Sequence, residues 1–382
     1  MPDNKRQHFV SKFYLKYFSP DTCLPPKNRK TINVFNIKRG IVIPKAGLKE
    51  QCYRDYFYGK DLVVEDEFCK QEGITQPVFS HILANCSLPP YASVEHIVMV
   101  MFVHMQAFRT EQAARKIRET DDKVNAEIMT MNSSEAAKIK ALVKHESHVN
   151  ASLEYSKRHF PLLLDLECKL LVAGKGLEFL TSDHPAVLYN QLFEFWDQSS
   201  HTGLASVGLQ IYFPLSPKAM LVMYDSNVYQ VGVQGKRIVT VSDRKDVRAL
   251  NVLQVVNANK NLYFQTNACE PYVAYQQGKP YIRQELGRIL VVPERYPDGR
   301  TGKLIGLTSI DVKSNLKLSF VSIKKAGKEF AERYKVAQRK PPRVIRNEEL
   351  WQDHDWFLEE VEAGRRTGVE FRHFLGKHFF RD

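Results

Sequence analysis

The chain has 382 residues, of which 43% are hydrophobic, and its 55 basic and 43 acidic side chains give a formal net charge of +12. This length allows two or three domains, and the 22 Phe and 17 Tyr residues exclude a chain that is disordered throughout. No stretch reaches the roughly 18 consecutive apolar residues of a membrane span, and the N-terminus lacks the apolar core of a secretion signal. We therefore expect a cytoplasmic protein without a membrane partner.

The N-terminal region combines a short helix with a hairpin. Aromatic residues at helical spacing predict a helix over 11–18, which Ser19-Pro20 ends. Apolar and polar side chains then alternate over 32–37, and the turn at Arg39-Gly40 leads into a second apolar run over 41–43. This pattern is typical of a β-hairpin.

The next region has the periodicity of helices. A helix over 61–72 begins at an aspartate, a residue type that favours the N-cap position. A longer helix over about 93–119 carries apolar residues every three or four positions. Two further helices are predicted over 133–148 and 151–166.

From residue 167 onwards the apolar runs become short and are separated by turn residues, which predicts an antiparallel or mixed sheet. The predicted strands cover 169–173, 177–181, 186–189, 210–214, 219–224 and 237–241. A helix over 246–259 and a strand over 262–265 follow.

These elements together predict an α+β fold. An N-terminal hairpin and a helical block pack on a central mixed or antiparallel sheet, and a basic, largely helical extension follows at the C-terminus. We expect one core domain over 1–320 and a basic segment over 321–382. The core domain comprises a mixed part (1–60), a helical block (61–166) and a sheet-rich part (167–320).

The basic segment carries most of the excess positive charge. Nine basic residues face only two acidic ones between residues 323 and 346. The nine are Lys324, Lys325, Lys328, Arg333, Lys335, Arg339, Lys340, Arg343 and Arg346. A field of one sign this dense attracts phosphates, and nucleic acid is the partner that it predicts. A solvated helix face without any ligand is the equally weighted alternative.

Two short motifs place polar side chains in apolar surroundings. Gln7-His8 precedes an apolar turn, where a partly buried neutral imidazole can act as a general base or a metal ligand. Ser182, Asp183 and His184 follow a predicted strand and are held by a proline, a position at which proteins often display functional groups. Structural roles, at a helix entrance and in a backbone turn, are the alternatives.

Helices supply the remaining candidates. Gln106 and Arg109 lie three residues apart on the long helix, where Arg109 can clamp a phosphate or pair with a buried carboxylate. Glu65 and Glu72 are the carboxylates in question, and they lie on one face of their helix because they are seven residues apart. Asn251 and Gln254 share a helix face and can orient a ligand or cap a sheet edge.

The motifs in this combination resemble the bacterial domain of unknown function 4238 family over roughly residues 6–265. The resemblance rests on the opening motif 7–18, on the aromatic-Tyr-Gly segment 56–59, on Glu65 and Glu72, on 106–110, on 181–185, on Pro214 to Pro217 and on 250–254. Ser11 stands where many members have proline. The resemblance implies a bacterial cytoplasmic protein without an established activity, in which His8, Glu65, Glu72, Arg109, Asp183 and Asn251 converge.

If these residues converge, they suit phosphodiester cleavage. His8 and Asp183, with Glu65, Glu72 and Arg109, would provide a base, carboxylates for the base or for a divalent ion such as Mg²⁺ or Mn²⁺, and a guanidinium for the phosphoryl charge. We assign substrate binding to Gln7, Gln106, Ser182, His184, Asn251 and Gln254. The first hypothesis is therefore a nuclease, in phage defence or as a toxin, that needs no organic cofactor.

Two alternatives remain open. A nucleotide glycohydrolase acting on a substrate such as NAD would use the same residues without a metal. A non-enzymatic protein would instead keep Glu65, Glu72 and Arg109 as a buried ion network and bind nucleic acid or a protein partner, with a homo-oligomer also open. An Arg109 saturated by those two glutamates, with no adjacent pocket, would favour this last alternative.

Overall fold

The computed structural model describes residues 5–130, 147–197, 199–266, 268–295, 299, 301–337, 344–366 and 370. Its α-helices are α1 (Lys12–Leu15), α2 (Val63–Asn85), α3 (Val94–Phe108), α4 (Glu111–Ile128), α5 (His148–His159), α6 (Arg244–Asn257), α7 (Glu270–Gly278), α8 (Lys325–Val336) and α9 (Glu348–Glu362). The predicted helix over 133–148 lies almost wholly outside the described residues.

A five-stranded sheet forms the centre of the molecule. Its strands are β5 (Glu167–Ala173), β7 (Val187–Tyr189), β8 (Gln210–Ser216), β9 (Ala219–Tyr224) and β11 (Ile238–Val241), in the order β11-β5-β9-β8-β7. β11 pairs with β5 in parallel and the other pairs are antiparallel. Every residue of β9 is buried, because packed side chains cover both faces of this sheet.

A second sheet brings together the two ends of the region that resembles the family, roughly residues 6–265. It contains β2 (Thr31–Asn36), β3 (Ile41–Gly47), β6 (Thr181–Ser182) and β12 (Asn261–Phe264), in the order β3-β2-β12-β6. The predicted N-terminal hairpin is β2 with β3. Because β12 follows α6 and pairs with both β2 and β6, it brings the segment after β6 close to the N-terminal region.

Three smaller antiparallel pairs complete the strands. They are β1 (Arg6–His8) with β4 (Tyr53–Asp55), β10 (Tyr229–Val231) with β15 (Val321–Ile323), and β13 (Gly287–Arg295) with β14 (Thr301–Ser309). The pair β1–β4 holds Gln7 and His8 in extended backbone beside the aromatic-Tyr-Gly segment.

The α+β class and the mixed central sheet are confirmed, whereas the long helix predicted over 93–119 is wrong. The chain leaves helical geometry after α3, and Thr110 adopts extended backbone with φ −95° and ψ 163°. Thr110 Oγ1 then accepts a hydrogen bond from the Ala113 amide, so that it caps α4. Strand 177–181 is also shorter than predicted, since only Thr181–Ser182 is a strand.

The C-terminal helices pack on the central sheet region. Phe330 and Tyr334 of α8 contact Phe193, with ring centroids 6.1 and 4.8 Å away. Leu350 and Phe357 of α9 are buried in the core that α2 and α3 also line. No helix in the described part of the chain is long and apolar enough to cross a membrane.

Candidate functional site

The break between α3 and α4 places a fully enclosed arginine at the centre of the predicted site. Arg109 is the C-cap residue of α3 and its side chain is only 1% exposed. Its guanidinium lies 3.8 Å from the centroid of the Phe68 ring on α2. A charge removed this far from water is stable only if its donors find partners inside the protein.

The Arg109 donors are bound on all three nitrogens. Nη2 donates to the His8 carbonyl oxygen at 2.7 Å, and Nε donates to Tyr58 Oη at 3.2 Å. Nη1 donates to Glu72 Oε1 at 3.0 Å and to Ser11 Oγ at 3.3 Å. We call these five residues the Arg109 network. Its geometry joins β1, α1, α2 and α3, and it leaves the guanidinium little capacity to bind a ligand.

Ser11 and Tyr58 were not predicted as members of this group. The Ser11 hydroxyl donates to Glu72 Oε1 at 2.6 Å, so its role extends beyond the start of α1. Tyr58 Oη donates to the Arg109 carbonyl oxygen at 3.1 Å while its oxygen accepts from Nε. The aromatic-Tyr-Gly motif was the only sequence signal for Tyr58.

His8 belongs to the network through its backbone rather than through its imidazole. Its Nε2 lies 3.3 Å from the Lys49 carbonyl oxygen, which can only accept, so Nε2 carries a proton. Burial lowers the pKa of His8 to about 4, and the Lys12 charge adds to this effect. The ring is therefore neutral at pH 7. Gln7 is likewise engaged, since its amide bonds the Gly59 carbonyl and the Tyr58 amide.

Glu65 and Gln106 differ from their neighbours because they carry buried polar atoms without a partner. Glu65 Oε2 and both amide atoms of Gln106 have no hydrogen bond among the described residues. Burial raises the pKa of Glu65, and the charge of Arg109 opposes part of that rise. These buried atoms, close to the Arg109 network, can still donate or accept a hydrogen bond.

Asp183 lies in a second group, at the end of β6. Oδ1 accepts from the Asn259 amide at 2.8 Å, and Oδ2 accepts from the amides of Lys260 and Asn261 at 2.8 and 3.2 Å. Burial raises the pKa of Asp183 to about 6 although these amides favour the charged form. The carboxylate thus fixes the turn between α6 and β12.

The other predicted residues of this second group also bind backbone or each other. Asn251 on α6 accepts from the Leu180 amide at 2.8 Å and donates to the Glu178 carbonyl at 3.0 Å. Gln254 accepts from Ser182 Oγ at 2.9 Å and donates to the Pro185 carbonyl at 2.9 Å. The side-chain amides of Asn251 and Gln254 therefore hold the segment around β6. Of the two predicted alternatives, orienting a ligand and capping a sheet edge, this is the second.

The two groups meet at Thr110 and His184 but do not merge. Thr110 Oγ1 lies 2.6 Å from His184 Nδ1, and burial lowers the pKa of His184 to about 3. Among the described residues no hydrogen bond or ion pair joins His8, Glu72 or Arg109 to Asp183. The predicted residues thus form two neighbouring hydrogen-bonded groups that meet at Thr110 and His184.

None of the five predicted catalytic residues lines either of two cavities in the described part of the chain. One, of about 380 Å³, lies beside α6 and α7, and the other, of about 210 Å³, lies between α2, α3 and α5. No group of three or more His, Cys, Asp or Glu side chains with the arrangement of a metal site was found there either. The predicted Mg²⁺ or Mn²⁺ has no evident ligand set among these residues.

The basic segment divides into exposed and buried charges. Lys324, Lys325, Lys328, Arg333 and Lys335 are exposed on or just before α8. Arg346 is an exception to the prediction because its side chain is 3% exposed and pairs with Asp165 at 2.7 Å. Its remaining donors reach the Leu162, Leu204 and Ser206 carbonyls, so Arg346 fixes the fold. Arg339, Lys340 and Arg343 lie outside the described residues.

Comparison with known proteins gives one match. The model of a family described as a protein of unknown function (DUF4238) matches residues 6–268. No curated protein and no solved structure matches the chain. The matched region contains both polar networks and ends before α7.

Proposed function

Because the chain belongs to the DUF4238 family, whose description states no activity, we propose from the geometry that it is a non-enzymatic protein that binds a polyanion, nucleic acid in the first place, through α8. The observation that carries this proposal is the use of the Arg109 donors inside the protein. An arginine with a hydrogen bond on every nitrogen stabilises a fold and is not free to clamp a phosphate.

The charges of α8 support a binding surface. The first turn of α8 has no acidic residue, and Lys324 and Lys325 stand at its start. Cations at this end oppose the helix dipole, so the arrangement is unfavourable for the isolated helix. Two ion pairs within α8 offset the charge only in part, Lys325 with Glu329 at 3.7 Å and Lys335 with Glu332 at 2.8 Å. A phosphate backbone would neutralise the rest.

The aromatic residues of α8 give it an anchor rather than a stacking surface. Tyr334 is 5% exposed and its hydroxyl lies 2.9 Å from Nε2 of His201. Gly327 faces Val228 and Ile323, where a Cβ would come within 3.0 and 3.1 Å. The helix therefore sits close on its support and presents its lysines outward. We expect binding to be governed by charge and to show little base specificity.

Salt dependence of binding tests this proposal. Labelled single-stranded RNA and duplex DNA are titrated with wild type and with the triple variant Lys325→Ala, Lys328→Ala, Arg333→Ala. We expect log K to fall linearly with log salt, and the triple variant to lower the magnitude of the duplex slope by about two to three.

The matched control removes the same number and kind of charges elsewhere. Lys27, Lys38 and Arg39 are exposed in and near the N-terminal hairpin, and their triple alanine variant has the same net charge as the α8 variant. If both variants weaken binding equally, α8 is not the surface. If wild type binds neither nucleic acid, the proposal fails.

A nuclease is the second candidate, and Glu65 with Gln106 is the observation that favours it. A carboxyl with a raised pKa next to a guanidinium can serve as a general acid, and the neutral His8 imidazole can serve as a base once it leaves the Lys49 carbonyl. In this reading the buried unpartnered atoms of Glu65 and Gln106 would face a substrate or water.

Cleavage assays separate this candidate from the first. Wild type is incubated with single-stranded and duplex substrates, with NAD, and with or without EDTA. The nuclease hypothesis expects phosphodiester cleavage that falls at least about a hundredfold in Glu65→Gln and His8→Ala, with Glu67→Gln as the exposed control on α2. Full activity in His8→Ala and Asp183→Ala would remove it. Activity on NAD that resists EDTA would indicate the glycohydrolase instead.

A further inference from the structure

The larger cavity contains charged groups that neither network uses. Its volume is about 380 Å³, within the range of small-molecule sites. It is lined by residues of α6 and α7, by the turn after α7 and by the segment that follows β14. The lining residues are Lys245, Arg248, Ala249, Val252, Gln277, Tyr281 and Ser314. The lining thus combines basic and polar side chains with apolar ones.

Arg248 is the feature that points to a ligand. No hydrogen bond from its guanidinium to any described residue was found, and its buried Nε has none. Its one ion-pair partner in the described part of the chain is Glu270 Oε1, at 3.5 Å from Nε, and its side chain is only 28% exposed. Arg109 and Arg346 each use every nitrogen, and Arg283 leaves only Nε unpaired because both of its Nη groups bond inside the protein. A buried guanidinium nitrogen without an acceptor costs free energy, which an acceptor that enters the cavity would recover.

Lys245 supplies a second positive charge at the same wall. It lies three residues before Arg248, hence on the same face of α6, and its ammonium has no ion-pair or hydrogen-bond partner among the described residues. Like charges at this spacing destabilise a helix unless an anion bridges them. The Asp243 carboxylate bonds the Lys245 amide and forms no ion pair with its ammonium in the described part of the chain.

The lining residues determine which size and class of anion the cavity can bind. Ala249, Val252 and the Tyr281 ring provide apolar surface for an organic moiety, and the volume excludes a nucleic-acid strand. An arginine fork with a neighbouring ammonium matches the oxygens of a doubly charged phosphate better than a single carboxylate. We propose that this cavity is a binding site for a small phosphate monoester, held by Arg248 and Lys245 and independent of the α8 surface.

Calorimetric titration with AMP, inorganic phosphate and adenosine tests this site. We expect AMP to bind, phosphate to bind more weakly and adenosine not to bind at up to about 10 mM. Lys245→Ala should weaken AMP binding about fivefold or more, and Arg248→Lys, which keeps the charge next to Glu270, about tenfold or more. Arg244→Ala, an exposed residue of the same helix turn that does not line the cavity, should leave the affinity unchanged.

Several outcomes would overturn the proposal. They are the absence of AMP and phosphate binding in wild type, equal binding of adenosine, or equal affinities in wild type, Lys245→Ala and Arg248→Lys. Thermal unfolding of each variant without ligand shows whether it is folded, and Lys245→Ala removes only an exposed side chain. The nucleic-acid affinity of Lys245→Ala should match that of Arg244→Ala, so a failure of this site and a failure of the α8 surface can be told apart.

Discussion

At the scale of single residues, the Arg109 network shows how a polar motif can be structural. The guanidinium meets the His8 carbonyl of β1, the Tyr58 phenol between β4 and α2, the hydroxyl of Ser11 at the start of α1, and the Glu72 carboxylate of α2. Glu72 remains 23% exposed, so water solvates part of its charge, whereas the Arg109 side chain is only 1% exposed. Loss of the Arg109 side chain should therefore cost more folding free energy than loss of the Glu72 side chain.

This asymmetry predicts that Arg109→Met destabilises the protein by about 3–5 kcal/mol, because it leaves the His8 carbonyl and the Tyr58 hydroxyl without their donor. Arg109→Lys should recover part of the loss, since an ammonium keeps the charge but cannot reach every acceptor. Urea unfolding measures both. Arg118→Met on the exposed side of α4 is the control and should cost less than about 0.5 kcal/mol. A ligand-binding arginine would behave oppositely, because its removal would leave stability unchanged or raise it.

At the scale of elements, local patterns predicted much of the fold. The hairpin β2–β3 and the strands β5, β8 and β9 follow from alternation and from apolar runs between turn residues. The end of α3 could not be predicted in this way, because apolar periodicity alone does not stop at Arg109. Tertiary contacts end the helix, because the Arg109 side chain bonds to residues of β1 and α2. Thr110 then caps α4.

The roles of the site residues needed long-range information. Periodicity places Asn251 and Gln254 on one face of α6, but only the position of β6 decides that this face meets backbone rather than ligand. Arg346 reads in the sequence as one more charge of the basic segment, yet Asp165, about 180 residues earlier, pairs with it. The Arg248 cavity carried no sequence signal, because its lining comes from three distant segments.

At the scale of the whole molecule, buried neutral histidines link stability to pH. Burial lowers the pKa of His8 and His96 to about 4, and that of His104 and His184 to about 3. An unfolded chain returns each to its ordinary value near 6.5, so unfolding takes up protons below that pH. Asp183 acts in the opposite direction: its raised pKa lets the folded state keep a proton that the unfolded chain has lost between about pH 4 and 6, so its contribution to stability falls as the pH rises through that range.

Among the described residues, seven histidines have a lowered pKa, His159, His201 and His354 besides these four, and three carboxyls have a raised one, Glu65 and Asp225 besides Asp183. The histidines therefore dominate, and the free energy of unfolding should rise with pH between about 5 and 6.5 and level off above that range. Urea unfolding at closely spaced pH values measures this slope. His104 Nε2 donates to the Ser156 carbonyl at 3.0 Å, and a glutamine amide can make the same bond. His104→Gln should therefore lower the slope by about one proton, or about 1.4 kcal/mol per pH unit. The control is His81→Gln at an exposed position of α2. An equal slope in wild type and His104→Gln, or a slope that falls with pH, would show that proton uptake by these histidines does not govern acid unfolding.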